Sequence, residues 1–262
     1  MTHYDSQLNL RKRHPLGRFA LLKNEVDSFF TRLSSSGSLD ISYGPSSEQK
    51  LDIFPAAQPQ SPVFIFIHGG YFRSLDKRQY SFLAKPLNRA GYTAVFLNHD
   101  LAPKVKVVDI VEQNISAMKW VVNNIQQWNG DPKRITLCGH SVGAFLAAKI
   151  LEHPFQNKES FYFEQVNLLS GIYDLEPLRQ SYLNASLKLS LADVESLSLN
   201  HQPSQTSTSI FISVGGDESE EFIRQSQSYS GLLHQNGYGN KLSVIKNVNH
   251  YGMVKAFAKS II

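Results

Sequence analysis

The chain has 262 residues, of which 42% are hydrophobic and 18% charged, with a formal net charge of +4. This length can bury a full core, and the balance is ordinary for a folded domain, which excludes a disordered or fibrous chain. A single cysteine, Cys138, rules out an internal disulfide and fits a reducing compartment. The positive charges are dispersed, so no nucleic-acid surface is expected. Their densest run, Arg11-Lys12-Arg13-His14, reads as a solvated chain end. No segment has the layout of a signal peptide, and the apolar runs are too short to cross a bilayer. The expectation is a cytoplasmic protein without a membrane partner.

In chain order, residues 1 to 37 read as a helical arm whose apolar face is Phe19, Leu21, Leu22, Val26, Phe29, Phe30 and Leu33. A homodimer through this arm is the one protein partner considered. From residue 39 onward, short β-branched or aromatic runs alternate with longer helical patterns, the mark of a mostly parallel sheet covered by helices. Strands are expected at Asp40 to Tyr43, Lys50 to Phe54, Val63 to Ile67, Thr93 to Leu97, Ile135 to Gly139, Gln165 to Leu169, Ser209 to Val214 and Lys241 to Ile245. Helices are expected near Asp76 to Arg89, Asp109 to Trp128, Val142 to Leu151, Glu220 to Gln235 and from Tyr251 to the end. Residues 175 to 206 break this rhythm and read as a small cap inserted in a single α/β domain spanning 1 to 262.

The chemistry centres on Gly139-His140-Ser141-Val142-Gly143, a Gly-x-Ser-x-Gly pentapeptide between a strand and a helix. A serine on such a sharp turn needs small neighbours, and Ser141 is the candidate nucleophile. It needs a base, and His250 is the histidine placed after the last strand and before a short terminal helix. An acid belongs past the preceding strand, where Asp217 and Glu218 stand side by side; spacing does not choose between them. Asp174 is a weaker third candidate. An oxyanion needs preorganised amide donors, and Gly69, Gly70 and Tyr71 follow a strand directly, with Val142 after the nucleophile as the partner donor.

Further segments carry a family resemblance. His68-Gly69-Gly70-Tyr71-Phe72 resembles the HGGYW signature of kynurenine formamidases and related esterases of the hormone-sensitive-lipase type, with Phe72 in place of Trp. Leu101-Ala102-Pro103-Lys104-Val105 with Ile110 and Gln113, Ser170 to Leu178 with Ser181 to Asn184, and Phe222 to Ser226 resemble further segments of that α/β-hydrolase family. The resemblance spans about residues 40 to 258. It implies an α/β-hydrolase fold, and it favours Glu218 as the acid because the family's acid stands before Ser or Thr and four residues before Phe. Asp217 stays as the alternative.

The activity implied is arylformamidase: hydrolysis of N-formyl-L-kynurenine to L-kynurenine and formate through a formyl-enzyme, with no cofactor and no metal. Tyr71, Phe72 and Tyr173 would then line the substrate pocket, and Val142 and Ala144 would narrow its acyl side. A carboxylesterase on small aryl or acyl esters is the alternative. A non-catalytic binding protein on the same scaffold is the remote one.

Overall fold

The computed structural model describes residues 2 to 155, 162 to 199 and 208 to 261. Its centre is an eight-stranded sheet of order β1-β2-β4-β3-β5-β6-β7-β8. The strands are β1 (Ser38–Ser42), β2 (Lys50–Phe54), β3 (Ser61–Ile67), β4 (Thr93–Leu97), β5 (Gly130–His140), β6 (Phe163–Leu169), β7 (Ser209–Gly215) and β8 (Asn240–Ile245). β2 pairs antiparallel with β1 and with β4, whereas β3 to β8 run parallel. From β3 the chain winds first outward to β4 and then back across to β5. That reversal leaves a crevice at the carboxyl ends of β3 and β5, where ligands of open α/β sheets bind.

Both sheet faces are covered, which is why the central strands read as continuous apolar runs. Along β3, Val63, Ile65 and Ile67 enter the larger core, while the alternating Phe64 and Phe66 enter a second one with Cys138. The larger core is closed by α5 (Val107–Asn124), α6 (Val142–Glu152) and α10 (Glu220–Gln235), through residues such as Ile110, Met118, Phe145 and Phe222. The second is closed by α4 (Ala84–Arg89) and α11 (Met253–Ile261), with Leu87 and Val254. The expected helix over 76 to 89 is divided into a 3₁₀ segment, Lys77–Leu83, and α4. Pro86 explains the division, because it has no N–H to continue the ladder back into the preceding turn.

The amino-terminal arm forms α1 (His3–Leu8), α2 (Leu10–Arg13) and α3 (Gly17–Ser34). Its apolar face is turned away from the domain, contrary to the usual burial of such a stripe: Phe29 is 57% exposed and Leu33 70%. The buried residues of α3 are Gly17, Asn24, Ser28 and Thr31. Ion pairing accounts for this inversion. Asp52 on β2 is fully buried and meets both Arg32 of α3 and Lys77, whose Nζ lies 3.0 Å away. Lys77 also pairs with Asp40 at 2.6 Å. A buried carboxylate must be matched by cations, so the polar side of α3 is drawn inward.

Between β6 and β7 lie α7 (Glu176–Arg179), α8 (Asn184–Leu187) and α9 (Leu191–Leu197). They occupy the stretch read as a cap; its last part, 200 to 206 with His201, falls outside the described residues. The arm docks on them, with the Tyr182 amide donating to Asp5 Oδ1 at 2.7 Å.

Candidate active site

The pentapeptide spans the end of β5 and the start of α6. Between them Ser141 is held at φ 59° and ψ −125°. For a non-glycine residue this costs on the order of 1–3 kcal/mol, and it lifts the side chain clear of both elements. The turn closes because its flanks carry no side chains. A Cβ on Gly139 would lie 2.0 Å from the Gly143 carbonyl oxygen, and one on Gly143 would lie 2.2 Å from that of Ile67. The Ser141 amide donates to the Leu169 carbonyl at 2.8 Å, which ties the elbow to β6.

His250 sits in the loop between β8 and α11, and its Nδ1–H donates to Glu218 Oε2 at 2.6 Å. The other oxygen of Glu218 accepts from the Gly215 amide at 2.8 Å and from the Ser170 hydroxyl. Both residues are buried. The adjacent Asp217 is exposed, and its amide donates to the Val248 carbonyl at 3.0 Å, so the turn sends its side chain outward. Asp174 accepts from the Glu176 amide at 2.9 Å in the turn leading into α7, and its other oxygen lies 3.7 Å from the Arg224 guanidinium. Of the three carboxylates considered, Glu218 is the one that reaches His250.

Gly69 packs against the elbow so closely that a Cβ there would lie 2.8 Å from Ser141 Cβ. Gly70, Tyr71 and Phe72 follow with φ of 109°, 53° and 58°. The amides of Gly70 and Tyr71 donate to no backbone carbonyl, and Val142, as the first residue of α6, has no helical acceptor for its own. Three unspent donors therefore stand around Ser141. Below them His68 stacks on His99 at 4.6 Å, and its Nε2 lies 3.1 Å from Asn98 Oδ1.

Ser141, His250, His140, Gly70 and Tyr71 line one cavity with Asn9, Leu10, Arg11, Leu21 and Asn24 of the arm. Tyr71 is one of the lining residues, and its hydroxyl donates to the Leu8 carbonyl at 2.9 Å. Phe72 and Tyr173 do not line it. Phe72 is fully buried edge-on to Phe145, and Tyr173 stacks on Tyr229 at 4.2 Å. Val142 and Ala144 also lie wholly inside the larger core, so their side chains do not narrow the cavity as expected. For Val142 and Ala144 the reason is that the start of α6, packed on the sheet, turns its side chains inward; Phe72 and Tyr173 lie in loops whose rings pack into the core against Phe145 and Tyr229.

Arg11, Lys12 and Arg13 of the amino-terminal basic run are exposed, and the run also meets the site. Arg11 lines the cavity, Arg13 donates to the Glu218 carbonyl at 3.2 Å, and His14 packs edge-on to Tyr251. His140 donates from Nε2 to the His250 carbonyl at 3.1 Å, which leaves Nδ1 as an acceptor without a partner. Burial lowers the pKa of His140 well below the ordinary histidine value, so its ring is neutral. Among the described residues, no group of three or more His, Cys, Asp and Glu side chains is placed to share a metal ion. Nor is any helix long and apolar enough to cross a membrane.

Residues 64 to 253 match the family model of the α/β hydrolase fold. The chain belongs to this family. The hydrolase is 32% identical over 229 residues to kynurenine formamidase of Danio rerio, covering 83% of this chain and 75% of that one. It is likewise 32% identical to kynurenine formamidase of Salmo salar, covering 83% and 76%. A solved structure described as a proposed thioesterase of Silicibacter sp. TM1040 superposes on the hydrolase with a TM-score of 0.88 at 21% identity, over 98% of this chain and 95% of that one.

Several segments that carry the family resemblance are contact partners in the hydrolase. Gln225 Oε1 accepts from the amides of Tyr173 and Asp174, both at 2.8 Å, which fixes the loop that presents Ser170. Gln113 is paired with Asp100 in both directions, fastening the loop after β4 to α5. Ser170 and His140 were not singled out from the sequence, although both stand inside quoted motifs. The arm residues Asn9, Leu10 and Arg11 carry no motif signal; only the surprise of a basic run beside apolar helical residues marks them.

Proposed function

We propose that this hydrolase is an arylformamidase that converts N-formyl-L-kynurenine to L-kynurenine and formate through a formyl-enzyme. The observation that carries the reading is the Glu218–His250 contact of 2.6 Å beside a cavity lined by Ser141, in a chain 32% identical to kynurenine formamidase of Danio rerio. In this mechanism His250 takes the Ser141 proton as Oγ attacks the formyl carbon, and Glu218 steadies the resulting imidazolium. The oxyanion is met by amides from Gly70, Tyr71 and Val142, with Gly69 framing the hole against the elbow. His250 then returns the proton to the departing aniline nitrogen. Water, deprotonated by the same imidazole, attacks the formyl-enzyme and releases formate and Ser141.

The test is direct: purified protein is incubated with N-formyl-L-kynurenine while the absorbance of kynurenine is followed, beside the Ser141→Ala variant. Turnover by the wild type and a loss of at least about a thousandfold in the variant are expected. No turnover, or equal turnover by both, rejects the reading. A second reading, a carboxylesterase, draws on the 35% identity over 119 residues to esterase LipQ of Mycobacterium tuberculosis, over 42% of this chain and 27% of that one. Hydrolysis of p-nitrophenyl acetate with the formamide left untouched favours it.

A further inference from the structure

The charges of the cavity are one-sided. Its charged lining residues are Arg11 and Arg73, and no aspartate or glutamate is among them. Glu218 stands behind His250 rather than in the wall. The two cations differ in what they already hold. Arg73 donates to Ser186 Oγ at 3.1 Å and lies over the Tyr182 ring at 5.6 Å. Arg11 forms no ion pair or hydrogen bond among the described residues. Its neighbours in the wall are the rings of Tyr182 and Tyr251; Arg11 and Tyr182 are exposed at the mouth of the cavity, and Tyr251 is half-buried.

Arg11 is also fixed in place from both sides. It belongs to α2, which is capped by Asn9 Oδ1 accepting from the Lys12 amide at 3.0 Å. The arm on either side of it is tied down by Tyr71 to Leu8 and by Arg13 to Glu218. A guanidinium carried on an anchored backbone at the rim of a reaction cavity, with no acidic partner, is open to an anion. One planar fork matches one carboxylate in two parallel hydrogen bonds. A doubly charged phosphoryl group finds no second uncommitted cation in the described wall.

We infer that Arg11 binds a carboxylate on the leaving-group side of the substrate, so that the amino-terminal arm sets the preference of this hydrolase for anionic substrates. Placement on the leaving-group side rests on the formamidase reading, in which the acyl group is a formyl and has no room for a charge. The arm is thereby part of the binding site, although it lies before the residues matched by the family model.

The experiment compares two aryl acetates of the same shape, 4-carboxyphenyl acetate and 4-carbamoylphenyl acetate, together with N-formyl-L-kynurenine. Wild type, Arg11→Ala and Arg11→Lys are measured on each. A charge-assisted pair predicts that Arg11→Ala raises KM for the carboxylate ester and for N-formyl-L-kynurenine by roughly 10- to 100-fold, with a much smaller change in kcat. For the carbamoyl ester the rise is expected to be several-fold smaller, and Arg11→Lys is expected to recover part of the loss. Equal changes on both esters, or no wild-type preference for the carboxylate, overturn the inference. Failure of the formamide alone rejects the formamidase reading, while the ester pair still decides the role of Arg11.

Discussion

At the scale of single residues, the decisive choice is between two carboxylates that are neighbours in the chain. Glu218 turns in, where Gly215 and Ser170 hold one oxygen and His250 the other; Asp217 turns out. Glu218→Gln keeps the size but removes the charge opposite the imidazole, and kcat is expected to fall by roughly a thousandfold or more. Asp217→Asn is expected to leave kcat/KM close to wild type. Steady-state kinetics on N-formyl-L-kynurenine, or on p-nitrophenyl acetate, checks both. Ser170→Ala removes a single donor to the carboxylate and is expected to cost about tenfold in kcat. The order of nucleophile, acid and base was legible from the chain, because each follows a recognisable strand. Which adjacent carboxylate faces the ring was not legible from spacing, since side-chain direction depends on how the Gly215-Gly216 turn is anchored to Ile245 and Val248.

At the scale of elements, α3 shows periodicity without burial. Its apolar residues recur at helical spacing, yet the face that docks is the one holding Asn24, Ser28, Thr31 and Arg32. The cause lies in another element, since Asp52 of β2 is buried and draws Arg32 and Lys77 to itself. Two expectations follow for unfolding in urea. Asp52→Ala leaves buried cations without their carboxylate and is expected to cost about 3–5 kcal/mol. Phe29→Ala, on the exposed stripe, is expected to stay within about 0.5 kcal/mol of wild type. The reverse ranking would mean that the apolar stripe is the buried face. The start of α3 is set by contact as well: a Cβ on Gly17 would lie 2.2 Å from the Tyr251 ring, next to His250. No local pattern announces that approach.

At the scale of the whole molecule, burial of neutral imidazoles ties stability to pH. His68, His99 and His140 are buried, and burial lowers the pKa of all three, that of His99 to about 3. In the unfolded chain each titrates near the ordinary histidine value of 6.5. Between the folded and unfolded values the unfolded chain binds more protons, so stability is complete above about pH 6.5 and falls as the pH drops below it. Each histidine contributes a slope of roughly 1 kcal/mol per pH unit in that window. Urea midpoints are expected to be level from pH 7 to 8 and to decline steadily from pH 6.5 towards 4. A midpoint that holds constant to pH 4.5 contradicts this account.

By itself the sequence determined the α/β architecture, the strand positions, the serine elbow and the order of the triad candidates. These depend on local periodicity and on turns that admit only small residues. The sequence favoured Glu218 over Asp217 only through a resemblance, and tertiary structure is what brings Glu218 to His250, buries Phe72, Val142 and Tyr173 in the core, and places Arg11 of the arm in the cavity wall. Those outcomes depend on which surfaces meet between segments distant in the chain, from Glu218 and His250, 32 positions apart, to Arg13 and Glu218, 205 apart, and that geometry is not written in neighbouring residues.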